Sequence, residues 1–161
     1  GKINDALVTE LPELLYNYLT GNLTLQSQDQ SRASYYCTRL PQDGMIDWRW
    51  PRRQIKDLVR ALQKPFPGAF TYLEGKKLVV WEVDTPPNKR IFEGIVPGRV
   101  VGIHKGLGVE VLSGDGPILL THIEMSGLSG EPSQLIKSSR ITLGHSVDEL
   151  LARLSALESK T

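Results

Sequence analysis

Apolar residues first repeat along this chain at helical spacing. Ile3, Leu7, Leu11, Leu14, Leu15 and Leu19 predict a helix over residues 3–19, stopped by Thr20-Gly21-Asn22. Pro12 lies inside that pattern and is expected to kink or split the helix, because it removes a donor and crowds the preceding turn. Residues 22–45 lose periodicity and turn polar, ending at Pro41-Gln42-Asp43-Gly44, which reads as an extended linker closed by a turn. Helical spacing returns after Trp50-Pro51. Ile55, Leu58, Val59 and Leu62 fall at i, i+3, i+4 and i+7, so a helix over Pro51–Gln63 presents one apolar stripe. Pro65-Phe66-Pro67-Gly68 ends it.

From there the period shortens to that of strands. Ala69–Leu73 and Lys77–Val83 flank a tight Glu74-Gly75 turn; Thr85–Val96 reads as a loop. Arg99–His104, Val109–Leu112 and Ile118–Glu124 make three more strands, separated by glycine-rich turns. The expected fold is α+β and mainly β: a five-stranded open barrel of the oligonucleotide/oligosaccharide-binding (OB-like) type with one packed helix. A helix and linker precede it. Residues 126–140 read as a loop with one helical turn near Ser133–Lys137. Ser146 and Glu149 have capping-box spacing, and Val147, Leu150, Leu151, Leu154 and Leu157 form the stripe of a final helix. The divisions are 1–22 for the first helix, 23–45 for the linker, 46–145 for the β-rich domain and 146–161 for the last helix.

The 161 residues suffice for one domain with a core, and a formal net charge of +1 selects no partner. A single cysteine, Cys37, leaves no internal disulfide and no cysteine zinc site; it is expected to be a small, partly buried residue. No membrane-length apolar run and no signal-peptide pattern occurs, which fits a cytoplasmic protein.

Local charge says more than the total. Between Arg49 and Lys64 six basic residues (Arg49, Arg52, Arg53, Lys56, Arg60, Lys64) stand against one acid, Asp57, and Lys76 and Lys77 follow in the hairpin. Arg49, Arg52, Arg53, Lys56, Arg60, Lys76 and Lys77 are therefore the candidate substrate or nucleic-acid contacts, the alternative being a solvated helix face. Trp48, Phe66, Tyr72 and Trp81 are candidates for base stacking or, more simply, for the core. His104, His122 and His145 show no metal-ligand spacing, and a strand histidine is more often packed or solvated. Gly106-Leu107-Gly108-Val109-Glu110-Val111 begins like a dinucleotide motif but lacks the third glycine and lies between strands. Gly114-Asp115-Gly116 reads as a β-turn before an anion cradle, and nothing places Asp43, Asp47 and Asp57 on one surface. The residues themselves point to no catalytic group, cofactor site or metal.

The series Ile46-Asp47-Trp48, Val59-Arg60-Ala61-Leu62, Pro67-Gly68-Ala69-Phe70-Thr71, Lys76-Lys77-Leu78, Trp81, Pro97-Gly98 and Ser113-Gly114-Asp115-Gly116 resembles the C-terminal domain of the methionyl-tRNA formyltransferase family. The resemblance spans about residues 3–125, with Ile3–Leu19 similar to the last helix of the family's catalytic domain and Leu23–Gly44 to its linker. It implies a parent transferase that moves a formyl group from 10-formyltetrahydrofolate to an amine, on methionyl-tRNA or on an amino-sugar nucleotide. The family's catalytic Asn, His and Asp and its Ser-Leu-Leu-Pro loop lie upstream of the matching part, so this chain is expected to be inactive alone and to work beside an N-terminal catalytic domain. One departure is Met125-Ser126-Gly127-Leu128-Ser129-Gly130-Glu131-Pro132, where the family has a Gly-Lys-Lys loop and an apolar helix start. The final helix also outruns the family pattern. Both features favour an acceptor other than tRNA, or a module of a larger protein. The rival expectations are a stand-alone nucleic-acid-binding module and an interaction module in which Val147–Leu157 docks on a partner or on its own copy.

Overall fold

The computed structural model describes residues 2–24 and 26–145 and, beyond them, 150, 151, 155 and 158. Two compact units emerge, residues 1–38 and 39–161.

The first unit holds helix α1, Lys2–Leu19. Pro12 neither splits it nor ends it, since the proline loses one donor and the turns on either side keep theirs. The stop falls where expected: Gly21 takes a positive φ of 73°, and Asn22 N donates to Asn17 O at 2.8 Å. The stripe Ile3, Leu7, Leu11, Leu14, Leu15 and Leu19 is exposed within the unit. Cys37 is exposed as well, contrary to expectation; it lies, with Tyr35 and Tyr36 each 90% exposed, in a stretch that belongs to neither helix nor strand.

The second unit is an antiparallel sheet with one helix. Helix α2 is Arg52–Ala61, Pro51 standing just outside it as the cap residue. The strands are β1 Ala69–Leu73, β2 Lys76–Asp84, β3 Val100–His104, β4 Gly108–Ser113, β5 Gly116–Met125 and β6 Leu128–Gly130. Their order is β1-β2-β5-β4-β3, with β6 pairing β5. All five expected strands are present, within one or two residues at each end. The sixth lies where a loop was expected: Ser126 (φ 53°) and Gly127 (φ 81°) form a tight hairpin turn, the same device as Glu74-Gly75. The sheet is open among the described residues, for β1 and β3 stand at opposite ends of the order and do not pair. The expected turn near Ser133–Lys137 is a short 3-10 turn at Pro132–Gln134. Leu150, Leu151, Ser155 and Glu158 are helical; the Ser146–Glu149 capping box and the rest of the final stripe lie outside the described residues.

The core forms where α2 crosses the sheet. Ile55 and Val59 are buried against Leu78, Val80, Ile118, Leu120 and Ile123, with Leu58 and Leu62 half-buried beside them. Trp48 is buried, and its Nε1 donates to the Thr71 hydroxyl at 3.0 Å, which satisfies an otherwise costly buried polar pair. Gly98, at φ 81°, lies against that tryptophan: a Cβ there would stand 2.4 Å from Leu143 O and 3.1 Å from Trp48 Cδ1. The outer side of β1 is covered as well, because Ile46 N donates to Phe70 O at 2.7 Å and Gly144 N to Tyr72 O at 2.8 Å.

Gly114 makes the closest approach. Its N–H donates to Trp50 O at 2.9 Å, and a Cβ would fall 2.0 Å from Arg49 O. Gly114→Ala is therefore expected to lower stability by about 1–3 kcal/mol, the usual cost of overpacking. Urea denaturation checks this. A midpoint equal to that of the unsubstituted chain removes the close approach from the account.

Candidate functional site

The first turn of α2 needs an acceptor that its own cap residue cannot give, since proline has no capping side chain. Asp115 supplies it from 63 residues further on: Arg52 N donates to Asp115 Oδ1 at 2.8 Å, and Arg52 Nε approaches the same oxygen at 3.2 Å. Ser113 Oγ donates to that same oxygen at 2.9 Å. Partial burial alone would push the Asp115 carboxyl up. The Arg52 N–H, the Ser113 hydroxyl and the Arg52 guanidinium outweigh it and hold the group below the usual carboxylate range.

This clamp aims the basic residues outward. Arg49, Arg52, Arg53, Lys56 and Arg60 are all exposed. Arg52, Arg53 and Lys56 converge with Asp84, Thr85, Asp115 and Ile118 around a recess of about 260 Å³. Each cation has an acid at hand. Arg49 pairs with Asp47 at 2.7 Å, Arg52 with Asp115 at 3.2 Å and Lys56 with Asp84 at 3.9 Å, while Asp57 takes both Arg53 at 3.9 Å and Arg60 at 3.0 Å. The Arg49 guanidinium beside it holds the Asp47 carboxyl low. The count along the chain saw one acid; folding brings Asp84 and Asp115 to the same face. These are exposed pairs, worth ~0–1 kcal/mol each, which an incoming phosphate can exchange at little cost.

Lys76 and Lys77 stand elsewhere. They begin β2, whereas Asp84 ends it, about 25 Å along an extended strand. Lys77 Nζ lies 4.2 Å from the Phe70 ring centroid. The structure therefore gathers Arg52, Arg53 and Lys56, sets Arg49 and Arg60 at either end of that group, and leaves the two lysines apart.

On another flank of α2 runs a mainly apolar groove of about 690 Å³, lined by Leu40, Pro41, Trp50, Leu58, Leu62 and Phe66 among others. Phe66 is exposed there; Trp81, half-buried, donates to Glu124 at 2.9 Å and carries Lys64 over its ring. The histidines separate too: His104 Nε2 is 2.8 Å from Glu110, His122 Nε2 is 2.9 Å from Ser129 Oγ, and His145 stacks on Tyr72 at 3.8 Å. Among the described residues no three acidic, histidine or cysteine side chains are grouped to hold a metal, and no helix is long and apolar enough to cross a membrane.

An open antiparallel sheet with one packed helix, the charges gathered on that helix, defines an α+β domain with a charged helical face. Residues 40–139 match the formyl transferase C-terminal domain, and the chain belongs to that family. Among solved structures, HypX from Aquifex aeolicus in complex with tetrahydrofolic acid has a TM-score of 0.53 at 18% identity, covering 78% of this chain and 22% of that one. A substituted variant of the same HypX gives a TM-score of 0.57 at 17% identity, covering 84% and 24%. At such identity the likeness shows the fold alone. This chain spans less than a quarter of the length of those structures.

A group whose folded pKa is depressed adds stability above its unfolded pKa, near 3.9, and loses it as pH falls through the folded value. Asp115→Asn keeps an acceptor oxygen but no charge, so the stability difference from the unsubstituted chain is expected to be present at pH 7 and to shrink by pH 2. Asp115→Ala also loses the cap, a further ~1 kcal/mol at every pH. Urea melts at pH 7 and pH 2 read both, and a constant Asn difference between the two contradicts the depressed carboxyl.

Proposed function

We propose that this chain is the substrate-positioning part of a 10-formyltetrahydrofolate-dependent formyltransferase that formylates a phosphate-bearing amine, methionyl-tRNA or an amino-sugar nucleotide. Arg52, Arg53 and Lys56 around one recess carry the reading. Three cations on a helix that the core holds rigid, neutralised only by exchangeable surface pairs, suit a phosphate of the acceptor. Transfer itself belongs to an N-terminal catalytic domain, to which we assign the exposed stripe of α1 as a packing face. The working place is the cytoplasm.

The folate donor is assigned to the N-terminal catalytic domain. No step of the transfer is assigned to these residues.

In the parent enzyme, charge reversal at Arg53 and Lys56 together, which spares the Arg52–Asp115 clamp, is expected to raise KM for the acceptor about tenfold, with kcat little changed, because the lost contacts act equally in ground and transition states. The effect should fade as salt rises. An unchanged KM ends the positioning role. The 161-residue chain alone, given donor and either acceptor, is expected to form no product; turnover there overturns the assignment of chemistry to another domain.

A further inference from the structure

The dinucleotide-like stretch and the histidine at the end of β3 meet at a point that the proposed function does not use. Glu110 sits mid-strand in β4 with its side chain 0% exposed. A buried carboxylate is sustained only by partners, and both of its oxygens have one. His104 Nε2 lies 2.8 Å from Oε1. Arg90 Nη2 donates to Oε2, reaching in from the β2–β3 loop. The same nitrogen is 3.4 Å from the Val101 carbonyl on β3, the terminal strand, and the guanidinium lies 5.3 Å from the Phe92 ring centroid.

Two further observations give this cluster a mechanical meaning. Among the described residues from Pro86 to Ile95, Arg90 is the one that hydrogen-bonds to the body of the domain. The rest of that stretch is largely exposed, Ile91 at 88%. The sheet also keeps a place open for the guanidinium. Gly102 pairs with Glu110 in the ladder, and a Cβ there would stand 2.9 Å from Arg90 Nη2 and 3.0 Å from His104 Nε2. The loop is thus held at its two ends, by the partial burial of Pro86, Phe92 and Ile95, and by one ion pair in its middle.

We propose that Glu110, positioned by His104, is a latch that straps the β2–β3 loop to β3 through Arg90, and that breaking this pair frees the loop while the sheet stays folded. Arg90 is partly exposed, whereas Val109 and Val111 on either side of Glu110 are fully buried. Removing Arg90 therefore opens the strap from outside, and removing Glu110 opens it from within. This inference is independent of the proposed function.

Limited digestion of the full chain by a lysine-specific protease tests it, because the Lys89–Arg90 bond lies at the latch and can be followed by mass spectrometry. Arg90→Gln and Glu110→Gln are expected to speed cleavage after Lys89 at least tenfold, well beyond any change after Lys56. Arg90→Gln also lowers the thermal midpoint, because it takes a partner from a buried carboxylate; Arg90→Gln combined with Glu110→Gln leaves no unpaired charge and is expected to bring the midpoint back while cleavage after Lys89 stays fast. His104→Ala, which leaves the ion pair and the cleaved bond intact, should give a smaller acceleration. Should Glu110→Gln fail to fold, Arg90→Gln carries the decision. Folded Arg90→Gln cut at the original rate overturns the latch. So does an equal acceleration at every site, which would make the cluster a part of global stability.

Discussion

The grip of one turn on one helix end organises this domain. An α-helix begins with N–H groups that its own backbone cannot satisfy. Here Pro51 fixes the entry but offers no side-chain acceptor, and the carboxylate of Asp115 arrives from the β4–β5 turn. Gly114 lets that turn come so close that Trp50 and Arg49 carbonyls occupy the space of a side chain. Because the turn belongs to two central strands, α2 is referenced to the middle of the sheet rather than to an edge. Its apolar side then falls on β2 and β5, and its cations have one direction left, outward.

Local periodicity made most of this lobe readable. The stripe Ile55, Leu58, Val59, Leu62 and the alternation after Gly68 each depend on neighbours a few residues away, and those elements appear within a residue or two of expectation. What stayed hidden depends on distant partners. Strand β6 escaped because three residues are too few to show a period, although Ser126-Gly127 is a turn signal of the Glu74-Gly75 kind. Composition alone makes Cys37 a partly buried residue, yet it is exposed in a stretch that belongs to neither helix nor strand. Pro12 was read by its local rule, while the helix on both sides was strong enough to carry through.

Charge shows the same division more sharply. Counted along the chain, α2 is strongly cationic; in space Asp47, Asp84 and Asp115 join Asp57 and leave the face nearly balanced. A balanced face of exposed pairs is a weaker magnet for long-range steering but a workable seat for a short-range phosphate, since each pair holds so little energy. Glu110 is the buried case. Alternation alone sets Glu110 on the face opposite Val109 and Val111, where an acid usually meets water, so its burial was not legible in the sequence; the strand is buried on both faces. Its partners were hidden too, because Arg90 and His104 belong to other elements.

The motifs that carry the family resemblance act as packing devices. Trp48 anchors on Thr71; Pro97-Gly98 leaves room beside that ring; Pro67-Gly68 ends the turn after α2 at φ 83°, where a Cβ would stand 2.4 Å from Val79; Ser113-Gly114-Asp115-Gly116 clamps the helix. Close approaches of this kind tolerate few substitutes, whereas the side chains around them can change if volume is kept. That is how a fold can be shared with HypX at 17–18% identity. It also follows that these motifs identify the lobe without identifying its acceptor. On the function proposed above, selection among amines falls to exposed side chains such as Arg53 and Lys56, which the fold positions but uses little for its own stability.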